Sequence, residues 1–550
     1  MAHEKKQSQQ RWAQVRKRLV APQASRTIQA MTPANLTNPL TTDGDACYRA
    51  LQARDARFDG CFFTGVTSTG IYCRSVCAVK TPKRENCRFF SHPAQAESAG
   101  FRPCLRCRPE LAPHALVWSM QDATSILAHQ AARMLDEPEA WGNASDRAQP
   151  VVSALAARLG VSDRHLRRIF EKHFSVSPLQ YLQTRRLLTA KQLLADTQLP
   201  VAQIALVSGF ASVRRFNTVF VERYGLNPSQ LRRSGAAVER MQGMAIQLGY
   251  RPPYDITVMG SFLAQRQVNA IESIATTADG MCASRTFSIK IGQITHAGWL
   301  RAEFVPERHH VRLHVSDSLH GVLPMVIHRV RAWLDLDADP QAIHRVLHTR
   351  FPHSEGLRVP GTLDGFELAV RAVLGQQITV AAARTLAQRL VDAFSEPIST
   401  PIPELTRLFP SAAVLAHLSG DALGQLGIVK QRQNAILALA RAVADGQLHL
   451  HGGAQVRNTI EALKALPGIG DWTAQYIAMR ALRWPDAFPA GDVALHKALG
   501  VHDAPNVRLA TLAAEAASQS WKPWRSYAVL RAWAELSAKA NTIKKIAIHA

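Results

Sequence analysis

The sequence has no apolar run of the ~18–20 residues that a transmembrane helix needs, which excludes an integral membrane protein. Its first residues lead into no apolar stretch that could act as a secretion signal, so we expect a cytoplasmic protein. Acidic residues are scarce, with 42 Asp and Glu against 65 Lys and Arg and a net charge of +23. Such an excess indicates a polyanionic partner, and nucleic acid is favoured over a membrane surface.

Cysteine is rare outside one window. The chain has eight cysteines, and every one except Cys282 falls between Cys47 and Cys107. Disulfide scaffolds are typical of short secreted chains, whereas clustered cysteines in a long cytosolic chain usually bind metal or react. The positive charge is also concentrated, because residues 1–240 hold 34 Lys and Arg but 18 Asp and Glu. The composition therefore predicts a reduced protein whose N-terminal half contacts nucleic acid.

The length of 550 residues predicts roughly three or four domains. Residues 1–40 are basic and polar with no pattern that could close a core, and we expect a disordered tail. A cysteine-rich module follows over 41–115, and a segment with helical periodicity covers 116–238. β-branched alternation in Thr286–Val315 predicts strands within a third segment, 244–340. The rest, 341–550, again has Ala- and Leu-rich helical patterns.

Two short knuckles stand out in the cysteine-rich module. The spacings Cys73-x3-Cys77 and Cys104-x2-Cys107 each place two sulfurs where they can bind one metal, and four thiolates suit tetrahedral Zn²⁺. A purely structural zinc site is the alternative that the spacing alone leaves open. Three cysteines lack such spacing and are expected to be buried as small apolar residues: Cys47, Cys61 and Cys87.

The residues around these cysteines resemble the N-terminal domain of Ada-type proteins, in 63–74, 81–86 and 100–107. The resemblance implies that the four knuckle cysteines bind zinc and that Cys73 accepts a methyl group from a DNA methylphosphotriester. A zinc-bound thiolate is a suitable nucleophile, and Arg74 is expected to add positive potential beside it. Methylation makes the centre less negative, so DNA affinity should rise afterwards.

The second module contains two helix-turn-helix patterns joined by a long predicted helix, Pro178–Asp196. The first pattern turns at Gly160 and re-enters a helix at Ser162, a typical N-cap. One such pattern alone could equally be a helical hairpin. Two copies followed by 224–233 resemble the AraC-type DNA-binding domain, which implies contacts to bases or phosphates by Arg164, Arg167, Arg168, Arg214 and Arg215.

Residues 466–474 read Leu-Pro-Gly-Ile-Gly-Asp-Trp-Thr-Ala, between two predicted helices, 459–464 and 475–482. Gly468 and Gly470 permit a tight turn whose amides can hold a DNA phosphate. With Asp492, this motif resembles the helix-hairpin-helix superfamily of base-excision glycosylases. The resemblance makes Asp492 the catalytic carboxylate, which stabilises an oxocarbenium-like sugar. Bifunctional relatives have a lysine where this chain has Trp472, so simple hydrolysis is expected.

Further segments, 252–255, 358–361, 373–378 and 521–528, resemble 3-methyladenine DNA glycosylase II of the AlkA type. Aromatic rings suit this substrate class because alkylated purines carry positive charge. Gln377 stands where AlkA has Leu, at the position that fills the gap left by the flipped base. No cofactor is expected for this chemistry. The resemblance implies a base pocket of Trp472, Tyr476, Trp533 and Phe262, with DNA contacts from Gln376, Gln377, Gly468 and Gly470.

Together the patterns predict a multidomain, mainly α protein. Its expected order is a small zinc-bound α+β domain, an all-α double helix-turn-helix, an α+β subdomain and an all-α helix-hairpin-helix core. We expect a monofunctional alkylation-repair glycosylase joined to a methyl-accepting regulator, acting on alkylated and promoter double-stranded DNA. RNA polymerase is a further expected partner, and no membrane is. Two alternatives remain: a protein that is mainly a transcriptional activator, or a glycosylase whose N-terminal half only tethers it to DNA.

Overall fold

The computed structural model of the protein describes residues 43–114, 123–141, 151–233, 244–277 and 280–549. The chain divides into two compact units. We call 35–339 together with 391–409 the N-terminal unit, and 340–390 together with 410–550 the C-terminal unit. Within the described residues, no helix is long and apolar enough to cross a membrane. The predicted tail, residues 1–40, lies outside the described residues.

The N-terminal unit begins with a small α+β module. Its four strands form a sheet in the order β3-β1-β2-β4, in which β2 pairs antiparallel with β1 and parallel with β4. Phe63, Tyr72 and Phe101 are buried on this sheet. The elements are α1 (Gly44–Gln52), β1 (Phe63–Val66), β2 (Ile71–Arg74), β3 (Cys87–Phe90), α2 (Pro93–Ser98) and β4 (Arg102–Pro103).

Seven α-helices follow within the described residues of 123–233, and they contain the two predicted helix-turn-helix units. Gly160 has a left-handed φ of +68° after the first helix, and Ser162 caps the next one through the His165 amide. The predicted long helix Pro178–Asp196 is confirmed as α6. The full set is α3 (Ala123–Asp136), α4 (Val151–Leu159), α5 (Asp163–Phe174), α6 (Pro178–Asp196), α7 (Val201–Val207), α8 (Val213–Tyr224) and α9 (Pro228–Arg233).

A five-stranded antiparallel sheet completes the N-terminal unit, in the order β5-β9-β8-β7-β6. The strands predicted in Thr286–Val315 are confirmed as the second half of β7 together with β8 and β9. The elements are β5 (Met244–Gly249), α10 (Ile256–Gln265), β6 (Glu272–Thr277), β7 (Gly280–Ile291), β8 (Ile294–Val305), β9 (His310–Val315) and α11 (Leu323–Trp333).

The C-terminal unit is helical, as the apolar periodicity predicts. Its helix α13 packs on α17 and on α19, and α20 packs on the long last helix α22. The helices are α12 (Pro340–Leu347), α13 (Gly365–Leu374), α14 (Val380–Phe394, which continues into the N-terminal unit), α15 (Ala412–Ala416), α16 (Gly420–Gly424), α17 (Lys430–Ala444), α18 (Val456–Lys464), α19 (Asp471–Arg480), α20 (Val493–Leu499), α21 (Val507–Ala517) and α22 (Arg525–His549).

Candidate functional site

Four cysteine sulfurs converge at one end of β2. Cys73 lies on that strand and Cys77 in the loop after it, whereas Cys104 and Cys107 follow β4, the parallel neighbour of β2. The four sulfurs lie within 4.8 Å of one another. Cys73, Cys77 and Cys104 are buried, and Cys107 is half-buried. The two knuckles that the sequence analysis paired are therefore adjacent in the fold.

This sulfur cluster fits a zinc ion. Tetrahedral Zn–S bonds of about 2.3 Å put sulfurs about 3.8 Å apart, which is within the observed limit. The backbone N–H of Arg74 donates to the Cys107 sulfur at 3.3 Å, a contact that favours a thiolate. The ligands would be Cys73, Cys77, Cys104 and Cys107.

The surroundings of Arg74 differ from the sequence prediction. Its guanidinium donates from Nε to Asp59 Oδ1 at 2.8 Å, and a second nitrogen bonds the other carboxylate oxygen. The Asp59 side chain is only 4% exposed, so this is a buried ion pair. Asp59 therefore offsets much of the positive potential that Arg74 was expected to provide.

The three other cysteines of the cysteine-rich module, Cys47, Cys61 and Cys87, are buried, as predicted. Burial raises the pKa of the Cys61 thiol to about 12 and that of Cys47 to about 11. Such thiols stay protonated at neutral pH and are poor nucleophiles and metal ligands.

The predicted DNA-contacting arginines are exposed at the start of each second helix. Arg164, Arg167 and Arg168 lie on α5, and Arg214 and Arg215 lie on α8. The opposite sides of these helices carry buried apolar residues such as Phe170 and Phe216. The buried sides fix both helices in the core and leave a cationic surface on each.

Asp492 is the N-cap of α20, where its Oδ1 accepts from the Leu495 amide at 2.7 Å. Its carboxylate also accepts two indole N–H groups. Trp533 donates to Oδ1 at 3.0 Å, and Trp472 donates to Oδ2 at 2.9 Å. Asp492 thus serves as a helix cap and also as the centre of a hydrogen-bonded cluster. Hydrogen bonds to both oxygens fix the orientation of a partly exposed carboxylate.

Three aromatic side chains of the predicted base pocket lie together around this carboxylate. Trp472 and Tyr476 are one turn apart on α19, and their rings stack at 5.3 Å with an interplanar angle of 11°. The Trp533 ring, on α22, lies 6.4 Å from that of Tyr476. All three are partly exposed, so a flat guest could reach their faces.

One pocket contact was missed by sequence reasoning. Arg480 lies one turn after Tyr476 on α19 and donates to its hydroxyl oxygen at 2.7 Å. The same guanidinium donates to the carbonyl oxygens of Pro360 at 2.7 Å and Gly361 at 3.1 Å. Arg480 therefore ties the 358–361 motif to the aromatic pocket. Its spacing of four from Tyr476 was the available signal.

Phe262 lies on α10 in the N-terminal unit, where the Arg266 guanidinium lies 3.8 Å from its ring centre. The other three predicted pocket residues lie in the C-terminal unit. Arg266 is a neighbour that sequence reasoning did not include. A cation over the ring weakens the attraction of that face for a second cation.

The two glutamines after α13 have different environments. The Gln376 side chain donates to the Gly468 carbonyl and to the Thr473 hydroxyl, both at 2.9 Å, and so it braces the hairpin from inside. Gln377 is exposed and has a left-handed φ of +56°. A non-glycine residue in that region costs about 1 kcal/mol, and such strain concentrates at functional sites. Gln377 is thus free to extend into a ligand, whereas the Gln376 amide is engaged.

The segment has the predicted helix-hairpin-helix form, with helices Val456–Lys464 and Asp471–Arg480. The second helix begins four residues earlier than predicted, because it starts directly after its N-cap Gly470. Gly468 has φ +77°, and a Cβ there would lie 3.1 Å from Ala435 Cβ and 3.2 Å from the Gln431 carbonyl oxygen. Gly470 is the N-cap of α19 and has open space around its Cα. Its open side leaves the helix N-terminus accessible to an anion.

A four-cysteine metal-type centre, two helix-turn-helix units and a hairpin beside an aromatic pocket with a fixed carboxylate together define a multidomain DNA-repair protein with a regulatory half. Four family models match the chain. They are the metal binding domain of Ada (residues 46–110), a helix-turn-helix domain (155–234), the AlkA N-terminal domain (245–364) and the HhH-GPD superfamily of base excision DNA repair proteins (370–525).

Whole proteins agree with these matches. The chain is 36% identical over 511 residues to a probable bifunctional transcriptional activator/DNA repair enzyme AlkA of Mycobacterium tuberculosis, covering 91% of this chain and 98% of that protein. It is 33% identical to DNA-3-methyladenine glycosylase 2 of Escherichia coli, over 52% of this chain and 95% of that protein. It is 29% identical to the bifunctional transcriptional activator/DNA repair enzyme AdaA of Bacillus subtilis, over 36% of this chain and 87% of that protein. The chain belongs to the AlkA family of bifunctional transcriptional activators and DNA repair enzymes.

Proposed function

We propose that the C-terminal unit is a monofunctional DNA glycosylase that hydrolyses the N-glycosidic bond of alkylated bases of the 3-methyladenine type. The observation that supports it is the carboxylate of Asp492, fixed by the indoles of Trp472 and Trp533 at 2.9 and 3.0 Å. The two tryptophans that would hold the base therefore also orient the Asp492 carboxylate, which would face the sugar. Preorganisation of this kind is a large contribution to catalysis.

The proposed reaction uses the charge of Asp492. As the damaged base leaves with the electron pair of the C–N bond, positive charge develops on the sugar, and the nearby carboxylate stabilises it. Water then adds to the sugar carbon and loses a proton. Trp472 has no amine, so a Schiff base cannot form at that position, and this favours hydrolysis without strand cleavage.

The test is base release from methylated duplex DNA by Asp492→Asn, with Asp364→Asn as the matched control. Asp364 is also an N-cap aspartate of the C-terminal unit, and it accepts from the Phe366 amide at 2.8 Å. Asn caps helices about as well as Asp, so any change in capping should be small and alike in both variants. We expect release by Asp492→Asn to fall at least about a hundredfold, as for loss of an electrostatic stabiliser. Release at the wild-type rate would refute the assignment.

For the N-terminal unit, we propose a zinc-thiolate methyl acceptor for DNA methylphosphotriesters. The supporting observation is the convergence of four sulfurs within 4.8 Å. When bound, zinc keeps these sulfurs deprotonated. The Cys73 sulfur would attack the methyl carbon, forming an S–C bond while the C–O bond breaks and its electron pair stays on the phosphodiester oxygen. The centre then becomes one charge unit less negative, which favours binding to phosphates.

Peptide mass spectrometry after incubation with methylphosphotriester DNA tests this second proposal. We expect one added methyl group on the Cys73 peptide and none on the peptides that hold Cys47 or Cys61, whose raised pKa values keep them protonated. Zinc content is measured in the same sample. A zinc-loaded protein without methyl on Cys73, or with methyl on the Cys107 peptide instead, would refute Cys73 as the acceptor.

We further propose that the exposed arginines of α5 and α8 bind promoter DNA, and that methylation of Cys73 strengthens this binding and brings RNA polymerase to the promoter. Footprinting before and after methylation tests the regulatory role. We expect a protected site that appears or tightens after methylation. A uniform footprint in both states would instead support the alternative that the N-terminal half only tethers the glycosylase to DNA.

A further inference from the structure

Strand β2 connects the cysteine cluster to a buried arginine outside the cysteine module. Side chains alternate along a strand, so Arg74 points away from the face on which Cys73 lies. Arg74 nevertheless contacts the cluster, because its backbone N–H donates to the Cys107 sulfur at 3.3 Å and its Nη1 to the Cys107 carbonyl at 3.0 Å. Its orientation in turn depends on the buried ion pair with Asp59.

Asp59 is held by Arg251, which lies just after β5 in the segment that matches the AlkA N-terminal domain. Arg251 is fully buried, and its Nε donates to the Asp59 carbonyl at 2.7 Å. Its Nη2 donates to the carbonyls of Pro113 and His114, each at 3.0 Å. Its Nη1 donates to the carbonyls of residues 337 and 338 at 2.8 and 3.3 Å.

The guanidinium thus uses all five of its N–H groups, three toward the cysteine module and two toward the end of the AlkA-type segment. The backbones meet closely here. A Cβ on Gly60 would lie 2.0 Å from the Pro113 carbonyl oxygen and 3.1 Å from Arg251 Nη2. On the other side, a Cβ on Gly249 would lie 2.4 Å from the Leu111 carbonyl oxygen. Only glycines permit so close an approach.

A fully buried arginine with fixed acceptors is costly to displace, because any lost partner leaves an unsatisfied charge in the interior. The position of the Asp59 backbone is therefore set from outside the cysteine module. We propose that Arg251 is a positioning residue for the cysteine centre: through Asp59 and Arg74 it fixes Cys107, so that the segment matching the AlkA N-terminal domain supplies an outer support of the metal site. The inference rests on the proposed metal centre and is independent of methyl transfer.

The test measures the rate at which full-length, zinc-loaded protein loses zinc to a chromogenic chelator. Outer-sphere partners of metal ligands, such as Arg74 here, usually change affinity by 10–100-fold, and Arg251 acts two steps further out, through Asp59. We expect about tenfold faster loss from Arg251→Met, and a smaller effect from Arg251→Lys, which keeps the charge but loses the forked donors.

Arg285→Met is the matched control. Arg285 is another buried arginine of the N-terminal unit, on β7, and its guanidinium pairs with Glu272 at 3.0 Å. The Arg285→Met variant should have a lower melting temperature than wild type but the same rate of zinc loss. If Arg285→Met releases zinc as fast as Arg251→Met, general destabilisation explains the result and the proposal is overturned.

A double-mutant cycle separates coupling from independent damage. Asp59→Asn weakens the ion pair with Arg74 while it keeps the carbonyl that Arg251 binds. If Arg251 acts through Asp59, the double variant Asp59→Asn/Arg251→Met should lose zinc scarcely faster than the faster single variant. Multiplied effects would refute the proposed route. A wild-type protein that holds no zinc would instead refute the metal centre, and a zinc-loaded protein indifferent to Arg251→Met would refute only the coupling.

Discussion

Asp492 combines two roles that sequence reasoning treats as alternatives, a helix cap and a site carboxylate. The cap bond uses one lone pair of Oδ1, and the two indoles donate to two of the roughly three acceptor positions that remain on the carboxylate. The aromatic pocket and the carboxylate are consequently one assembly, so a change to either indole should also change the orientation of the Asp492 carboxylate.

Trp533→Phe tests this assembly, because Phe keeps an aromatic face but removes the N–H that reaches Oδ1. A hydrogen bond to a charged group contributes about 1.5–3 kcal/mol, so we expect single-turnover base release to slow roughly tenfold or more. Trp524→Phe, at a buried tryptophan packed on Tyr527, is the control and should keep the wild-type rate. Equal rates for both variants would contradict a role for the indole hydrogen bond.

At the residue scale, the sequence predicted which side chains form the candidate sites better than it predicted their hydrogen-bond partners. The four knuckle cysteines and three pocket aromatics lie where their motifs suggest. The Asp59 partner of Arg74 and the inward amide of Gln376 could not be predicted. Those contacts join residues 15 and 92 positions apart. Local spacing carries no information on which distant acceptor a buried donor will meet.

At the scale of elements, the hairpin depends on two glycines for different reasons. Gly468 needs a left-handed backbone and a close approach to α17, whereas Gly470 has an ordinary φ and open surroundings. The first glycine therefore shapes the turn, and the second keeps the N-terminus of α19 uncovered.

Gly468→Ala should reduce both stability and affinity for undamaged duplex DNA. A non-glycine residue at this left-handed φ costs about 1 kcal/mol, and the added Cβ would also crowd Ala435 Cβ at 3.1 Å and the Gln431 carbonyl oxygen at 3.2 Å. Gly446→Ala is the matched control, since Gly446 has φ +69° and nothing within 4 Å of its Cβ. Calorimetry and fluorescence anisotropy should find a lower melting temperature in both variants but several-fold weaker DNA binding in Gly468→Ala alone. Unchanged affinity in Gly468→Ala would count against the hairpin as a DNA contact.

Helices were predicted better than sheet order. The 3.6-residue period and an N-cap serine define Pro178–Asp196 from local signals. The pairing of β5 with β9, more than 60 residues later in the chain, depends on packing that no local pattern encodes. The same holds for the division of α14 between two units.

At the scale of the whole molecule, Glu97 joins the cysteine module to the helix-turn-helix region. Its carboxylate is fully buried and accepts from the hydroxyls of Tyr72 at 3.0 Å and Thr184 at 2.8 Å. Arg223, on α8, donates to the Glu97 carbonyl at 2.7 Å. Tyr72 is the other neighbour of Cys73 on β2, so each residue that flanks Cys73 bonds to an acidic residue, Glu97 or Asp59, that is also contacted from outside the cysteine module.

Burial raises the pKa of Glu97 to about 7, and the contacts with Arg223, Thr184 and Tyr72 offset this only in part. The folded protein therefore holds this proton more tightly than the unfolded chain does, and the resulting stability is lost as pH rises from about 4.5 to about 7. Relative to wild type, Glu97→Gln should gain stability over that window, by at most about 3 kcal/mol. Calorimetric melting at constant zinc concentration would detect it. A difference that does not vary with pH would contradict the raised pKa.

The hydrogen bonds of Arg251 also bear on whether the chain could be divided into an N-terminal and a C-terminal fragment. A cut between residues 234 and 243 would leave the cysteine module and the helix-turn-helix units on one fragment and Arg251 on the other. The glycosylase fragment would then present to water a guanidinium that has carbonyl partners from the missing fragment. The other fragment would keep the Asp59, Pro113 and His114 carbonyls without their donor. The regulatory and repair parts of this chain are therefore physically dependent on each other, since each fragment supplies hydrogen-bond partners to buried groups of the other.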